Sequence, residues 1–444
     1  MIFIIFRYGA AMMLFPLPLR DFRFLTEEEL SNFDPMTDIT EDAGPGYVLQ
    51  VTLRYPKKLH LKHNSFPLAP EQVTITSDYL SPYAKECWKE FGGGGERVRK
   101  YKTTKLTAHF NPRVRYWVHG LNLQFYLEQG LELVTLHAAI TFHQEPFLAP
   151  YIEMCMKRRA ASKTKVENTR WKMLSNAVYG KMIESTANRM DASFVFEESH
   201  ATLKFSDPLY RGSLVLDEHF TVSFNSKREV YLRQAWPIGF SILELSKLVM
   251  ARLYYDVIQS EFGERTTVLM SDTDSVLLLA PGATPDDICR RLSDVMDFSN
   301  YDPSHPLYDA SRKNVVGLLK NEVSQDVIIR FAGVRSKTYA FETRGQHTET
   351  RAKGVSKIYR RKIPFTAFKQ CLDTIRSYNT TQVSLQAKNH ANLLVRSEKC
   401  AFNSLDDKRY LLCAIHSVPY GSWLIKQHER TKRCYFCDNP QFYP

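Results

Sequence analysis

The sequence predicts an α+β fold with an antiparallel sheet at its heart, one helical unit near the middle of the chain and a second at the C-terminal end. Three observations predict it. Ser271-Asp272-Thr273-Asp274-Ser275 stands between the apolar runs 268–270 and 276–279, which reads as a tight strand–turn–strand. Residues 147–188 carry a helical period in which Lys172, Asn176, Tyr179 and Gly180 fall at i, i+4, i+7 and i+8, one stripe of a helix. A further helical pattern opens at Pro237 and runs to about Phe262, directly before the acidic hairpin. Ile242, Leu245, Leu248, Val249 and Leu253 face its core side.

The other elements follow in order. Residues 1–19 are apolar except for Arg7, but they lack a basic leader, and Pro16 and Pro18 interrupt them. A strand of the central sheet is expected there rather than a secretory signal. Tyr47 to Tyr55 alternate as a strand does, after a turn at Gly44-Pro45-Gly46. The stretch from His60 to about Pro146 is aromatic and basic. Gly92–Gly95 within it reads as a flexible connector, since no Gly-Lys-Ser/Thr follows and Glu96 would repel a phosphate.

Residues 147–188 read as two helices carrying Arg159, Lys163, Lys165, Arg170 and Lys172. On one straight helix Arg159 and Lys172 would point more than about 100° apart, so a break is needed for them to converge, and Asn168-Thr169 is where it is expected. Lys163 and Lys165 read as solvated. Residues 189–235 look β-rich, with strands at Ala192–Phe196 and Leu214–Leu216. Val327–Phe331 and Thr338–Phe341 read as further strands, and helices with basic faces are expected over 364–444. No internal repeat or long low-complexity segment is present.

A chain of 444 residues has room for about three units at roughly 150 residues each. Its 44% hydrophobic content and mean hydropathy of −0.33 read as soluble and globular, and no apolar run reaches the roughly 18–20 residues of a membrane span. Net charge is +11, from 59 basic and 48 acidic residues. The excess is spread over Lys57–Lys62, Lys157–Lys172, Arg351–Lys362 and Lys426–Arg433, which suits a nucleic-acid groove assembled from several segments better than one basic arm. The eight cysteines are scattered and read as reduced thiols of an intracellular protein. Cys434 and Cys437 have metal-ligand spacing, with His416 and His428 upstream. No second cysteine pair completes a finger, so a terminal surface segment is the favoured reading there.

Two motifs carry chemistry. If the hairpin stays extended, Asp272 and Asp274 share one side, and two acids on a rigid hairpin are what a pair of Mg²⁺ ions needs to clamp a phosphoryl transfer. The helical stripe offers a cation for phosphates in Lys172, an amide in Asn176, a ring that can stack on a base in Tyr179, and close approach at Gly180. That set suits a nucleoside triphosphate.

On these residues the chain resembles family B DNA polymerases, in particular the protein-primed branch of Polinton (Maverick) transposons and related viruses. Lys172 to Gly180 is similar to the family's fingers motif, with Ala177 where many members carry Ser. Asp272-Thr273-Asp274-Ser275 is similar to its palm metal motif. Lys337-Thr338-Tyr339 resembles the Lys-x-Tyr element that holds the primer strand, and Lys353-Gly354 a lysine–glycine element after it. Pro237, Gly239, Ser246, Lys247, Lys320 and Asp406-Asp407-Lys408-Arg409 extend the resemblance over nearly the whole chain.

The resemblance implies a palm from 1–58 and 236–362, helical fingers at 147–188 and a helical thumb at 363–444. It also implies an insertion associated with a terminal protein at 59–146 and a second insertion at 189–235. Asp272 and Asp274 would be the catalytic acids and hold two Mg²⁺ ions. Tyr8, Arg159, Lys172, Asn176, Tyr179 and Gly180 would bind the nucleotide, Tyr8 excluding a 2′-hydroxyl. Lys337, Tyr339, Lys353 and Gly354 would hold primer–template DNA. The implied partners are that DNA, deoxynucleoside triphosphates and a terminal protein primer, with no membrane.

One departure stands out. The family's first palm motif is an Asp followed five residues later by the sugar-policing Tyr, and counting back from Tyr8 lands on Phe3. The aspartate is absent, the chain beginning where it should stand, and the upstream 3′–5′ exonuclease domain is missing, so no proofreading is expected. The rival readings are a non-catalytic remnant that still binds DNA and an unrelated basic nucleic-acid binder whose hairpin is structural.

Overall fold

The computed structural model describes residues 2–4, 7–41, 44–92, 100–186, 189–263, 266–272, 275–324, 326–388 and 391–440. The acidic hairpin lies at one edge of a five-stranded sheet. Its order is Thr267–Asp272, Ser275–Leu279, Ile2–Ile4, Leu319–Asn321, Met296–Asp297. The N-terminal strand is central, pairing antiparallel with Ser275–Leu279 on one side and Leu319–Asn321 on the other. The sheet is not wholly antiparallel as expected: Met296–Asp297 joins Leu319–Asn321 in parallel.

Only this short strand of residues 1–58 belongs to that sheet. Leu17–Phe24 and Gly46–Arg54 instead form a second, four-stranded sheet with Arg113–His119 and Glu132–Glu145, in the order 17–24, 132–145, 46–54, 113–119. The boundary expected after 58 therefore separates strands that pair with one another, Leu17–Phe24 and Gly46–Arg54 on one side and Arg113–His119 and Glu132–Glu145 on the other. The long strand Glu132–Glu145 bonds to partners on both edges and so holds Leu17–Phe24, Gly46–Arg54 and, through the latter, Arg113–His119 in one sheet.

The helical pattern from Pro237 becomes the helix Trp236–Arg252, which continues through wider π-type turns at Leu253–Gln259 to Ser260–Phe262. Ile242, Leu245 and Leu248 are fully buried and pack with Leu49, Val51, Phe125, Ile152, Val276 and Leu319. One apolar core thus joins the two sheets through this helix. A methyl at Gly239 would come 2.3 Å from Ile183 Cγ2, so glycine there lets the helix start close against the end of Lys165–Met182.

Residues 147–188 form two helices, Ala149–Ala160 and Lys165–Met182. The break falls at 161–164 rather than at Asn168-Thr169, because Thr164 caps the second helix. Its hydroxyl accepts from the Glu167 N–H, and the Glu167 carboxylate accepts in return from the backbone N–H of Thr164 and Lys163. Residues 190–226 hold a three-stranded antiparallel sheet of Met190–Val195, Phe220–Ser226 and Tyr210–Asp217.

The C-terminal part departs most from expectation. Helix Phe365–Thr374 is followed by a long antiparallel ribbon, Tyr378–Lys388 with Ala391–Phe402, where helices were expected. Thr381, Val383 and Leu385 alternate with Gln382, Ser384 and Gln386, a strand period rich in β-branched residues. The base of the ribbon packs with Phe368 and the sheet Ile328–Arg335, Thr338–Thr343, Thr348–Arg351. Residues 405–436 form a third core with Ile75, Leu80, Ala84 and Cys87, so the unit expected at 363–444 is divided between two cores. Among the described residues no helix is long and apolar enough to cross a membrane.

Candidate functional site

Backbone register aligns one cross-strand row over the five-stranded sheet. Asp272 pairs with Ser275, Ser275 with Phe3, Phe3 with Lys320, and Lys320 with Asp297. Directly paired residues share a face, so Asp272 and Ser275 fall on one face of the hairpin and Lys320 and Asp297 on one face of the far strands. At the far end Lys320 Nζ sits 3.3 Å from the buried Asp297 carboxylate and donates to Ser299 Oγ at 2.9 Å. Burial alone would raise the Asp297 carboxyl. Hydrogen bonds from Ser299 and the Asn314 backbone, together with the Lys320 charge, hold it below its usual range instead. Nothing in the sequence marked Asp297 as a partner of this row.

At the hairpin end, the Asp272 carboxylate lies 3.2 Å from Lys337 Nζ. Lys337 occupies a left-handed turn position (φ 61°) between Ile328–Arg335 and Thr338–Thr343, which aims its side chain back toward the first sheet. Tyr339, two residues on, is buried and stands opposite Arg351. Burial raises its phenol, with a further push from Asp272, while a hydrogen bond with Arg351 acts the other way. The acid of one motif and both named residues of the Lys-x-Tyr element therefore share one neighbourhood. Lys353 is exposed. Gly354 has φ 83° and its carbonyl accepts from Lys399 Nζ at 2.9 Å, so this element is tied to the ribbon rather than to the hairpin.

The helix Arg7–Leu14 follows the central strand and carries Tyr8 in its first turn. Tyr8 stacks on Tyr179, with 4.4 Å between ring centroids and 12° between planes. Arg7 anchors this turn, donating through Nε to the Ser246 carbonyl at 3.0 Å and through a terminal nitrogen to its hydroxyl at 3.1 Å. Burial raises the Tyr179 phenol, with Tyr8 adding to it. Lys172 and Asn176 are exposed on the same helical stripe, and a Cβ at Gly180 would meet nothing within 4 Å. Arg159 reaches the stripe from the preceding helix, its Nε 3.4 Å from Asn168 Oδ1, one turn before Lys172. Partial burial lowers its guanidinium pKa.

Asp274 lies outside the described residues, as does Thr273. For a pair of divalent ions held between two strands, each strand must supply an acid. The described hairpin offers Asp272, while the opposed strand offers phenylalanine at position 3. Among the described residues the hairpin and the strand Ile2–Ile4 thus supply one acid, Asp272. Arg7 escaped sequence reasoning, although its place beside Tyr8 was visible.

No protein-family model and no curated protein matches the sequence. Solved structures do match in fold. Phi29 DNA polymerase complexed with primer–template DNA (post-translocation binary complex) aligns with a TM-score of 0.51 at 13% identity, over 90% of this chain and 57% of that one. Its ternary complex, with primer–template DNA and incoming nucleotide substrates, gives the same values, and its orthorhombic crystal form gives 0.50. The chain spans 57% of the length of that protein. At such identity the likeness is one of fold, and in fold this chain is similar to phi29 DNA polymerase.

Proposed function

We propose that this protein is a DNA-directed DNA polymerase of the family B type, built to lengthen a primer 3′ end in the replication of a transposon or virus. The observation that carries the reading is the Tyr8–Tyr179 stack. It joins the turn after the central strand to the helix bearing Lys172 and Asn176. With the pairing of Ile2–Ile4 to the hairpin strand Ser275–Leu279, the stack links three motifs distant in sequence, which a structural hairpin on an unrelated basic protein does not require.

In this reading Lys172 and Arg159 neutralise the triphosphate, Asn176 and Gly180 border the nascent pair, and Tyr8 crowds the sugar 2′ position. Tyr339 and Lys337 grip the primer end through sugar and phosphate contacts that position without reading sequence. The Lys337–Asp272 pair is half exposed and worth about 0–1 kcal/mol, so a DNA phosphate can compete for the lysine. Asp272 and Asp274 are the acids assigned to divalent ions. Lys353 and Gly354 belong to the DNA-binding surface, and a terminal protein is the proposed source of the priming hydroxyl. In this assignment the strands about the hairpin are the palm, 147–188 the fingers and 363–444 the thumb. The Polinton-type branch rests on the motifs.

A second reading is favoured by one observation: position 3, directly opposite Ser275, is phenylalanine. It is that of a chain which binds primer–template DNA and does not extend it. Primer extension measured beside DNA binding by fluorescence anisotropy separates the two. Binding with extension supports the first reading, binding without extension the second, and absence of both removes each.

A further inference from the structure

We infer that Cys413, His416, Cys434 and Cys437 form a four-ligand structural zinc site that fastens the C-terminal segment to the core beneath it. The four donor atoms lie within 4.8 Å of one another, and among the described residues this is the one group of such donors large enough to hold a metal ion. His416 Nδ1 is 3.2 Å from Cys413 Sγ and 3.4 Å from the sulfurs of both Cys434 and Cys437. Cys413 Sγ is 4.0 Å from Cys437 Sγ. Zinc bonds of about 2.3 Å to sulfur and about 2.05 Å to nitrogen at the tetrahedral angle give edges of about 3.8 Å and about 3.6 Å. The four distances given, 3.2–3.4 Å for nitrogen to sulfur and 4.0 Å for sulfur to sulfur, lie within about 0.4 Å of those edges, and the whole set spans no more than 4.8 Å. They exceed the roughly 2.05 Å of a disulfide, and three thiols cannot all pair.

Local structure explains the convergence. Tyr410–Leu411 and Ser417–Val418 pair antiparallel, and the turn between them is closed by the Leu412 N–H donating to the His416 carbonyl at 2.9 Å. Cys413 and His416 thus sit together in one tight turn. Cys434 precedes the helical turn Tyr435–Asp438, whose Asp438 N–H donates to the Cys434 carbonyl at 3.1 Å, which brings Cys437 round beside Cys434. The arrangement is two short knuckles, Cys-x-x-His and Cys-x-x-Cys. His428, the other histidine upstream of the cysteine pair, instead meets Tyr410, with Nδ1 3.4 Å from the hydroxyl.

The segment is not the loose terminal surface its position suggested. Cys434 and Phe436 are buried with Tyr410, Leu412, Val418 and Leu424 against Ile75, Leu80 and Cys87. A core this small gains from a metal staple, because the ion binds the folded arrangement and not the unfolded chain.

Elemental analysis of the full chain, expressed with zinc and passed through gel filtration, is the test. Close to one zinc per chain is expected. Cys413→Ser and Cys437→Ser should each lower the content at least about fivefold, while Cys400→Ser, an exposed cysteine outside the group, should not. Cobalt-loaded protein should show thiolate charge-transfer and tetrahedral ligand-field absorption, which needs no variant to fold. Folded wild-type chain with less than about a fifth of an equivalent of zinc overturns the inference. So does a disulfide among the three cysteines by mass spectrometry, iron in place of zinc, or equal loss in Cys400→Ser. None of these readouts depends on polymerase activity.

Discussion

Tyr8 and Tyr179 lie face to face, 4.4 Å between centroids, and their contact is where the N-terminal helix meets the helix Lys165–Met182. Arg7, tied to Ser246, brings the helix Trp236–Arg252 to the same point. The pair should therefore be measurable as a coupling. In a double-mutant cycle, Tyr8→Leu and Tyr179→Leu should each cost about 1–2 kcal/mol in urea unfolding and couple by about 1 kcal/mol. Strict additivity would mean that the rings do not meet. Tyr8→Ala should also weaken discrimination between deoxynucleoside and ribonucleoside triphosphates in a binding titration.

Lys337 tests the hairpin neighbourhood. Because its pair with Asp272 is half exposed, Lys337→Ala should change unfolding free energy by no more than about 0.5–1 kcal/mol. Its affinity for primer–template DNA should nonetheless fall about evenly across sequences, and the slope of log K against log salt should drop by about 1. An unchanged slope would take Lys337 off the DNA.

DNA binding as a whole should be indifferent to sequence and steeply weakened by salt, since each phosphate contact releases a counterion. With about six contacts, affinity should fall about a thousandfold between roughly 50 and 200 mM salt. A complex insensitive to salt, or one selecting a short motif, would contradict the proposed groove.

Extension by this 444-residue chain with Mg²⁺ should be weak or absent, because register sets Phe3 opposite Ser275 where a second acid is wanted. Phe3→Asp should raise extension and leave binding in place, and Asp272→Ala in that background should remove the gain. Robust extension by the unmodified chain would refute the importance of position 3. Failure of Phe3→Asp with binding intact would favour the non-extending reading.

Acid should destabilise the fold through buried histidines. His63 and His119 are fully buried, and burial lowers their pKa values to about 3 and about 4 from the usual 6.5. A depressed folded pKa contributes stability that is present above 6.5. That stability is lost as pH falls toward 4, because only the unfolded chain takes up the proton. Each group carries on the order of 3 kcal/mol across that window. Melting temperature should fall from pH 7 to pH 4.5, and His119→Gln should flatten the slope; an unchanged slope would show that His119 is not the group responsible.

Several elements were legible because their signals are local. The apolar stripe of Ile242, Leu245 and Leu248 has the period of a helix, and those residues are fully buried. The acidic hairpin shows itself by two apolar runs and a polar turn, and its flanking strands pair as such a pattern requires. The ribbon at 378–402, expected to be helical, carries an alternation of period two in Thr381–Gln386 that agrees with the strands found. Cys413 and His416 carry a Cys-x-x-His spacing that complements Cys434-x-x-Cys437, a local signal of the cluster that the absence of a second cysteine pair obscures.

By itself the sequence determined which segments could be helix or strand, which residue types could meet phosphate, and that position 3 holds no acid. Those properties depend on periods of two and of 3.6 residues and on side-chain chemistry, which neighbours in the chain suffice to set. Tertiary structure alone decided the central place of Ile2–Ile4, the row from Asp272 to Asp297, the stacking of Tyr8 on Tyr179 and the meeting of His416 with three thiols. Each of these joins segments that are separated along the chain, the turn of Cys413 and His416 with Cys434 and Cys437 among them. Such contacts form where burial of apolar surface and completion of backbone hydrogen bonds outweigh the cost of ordering the chain between them, a balance that no local pattern records.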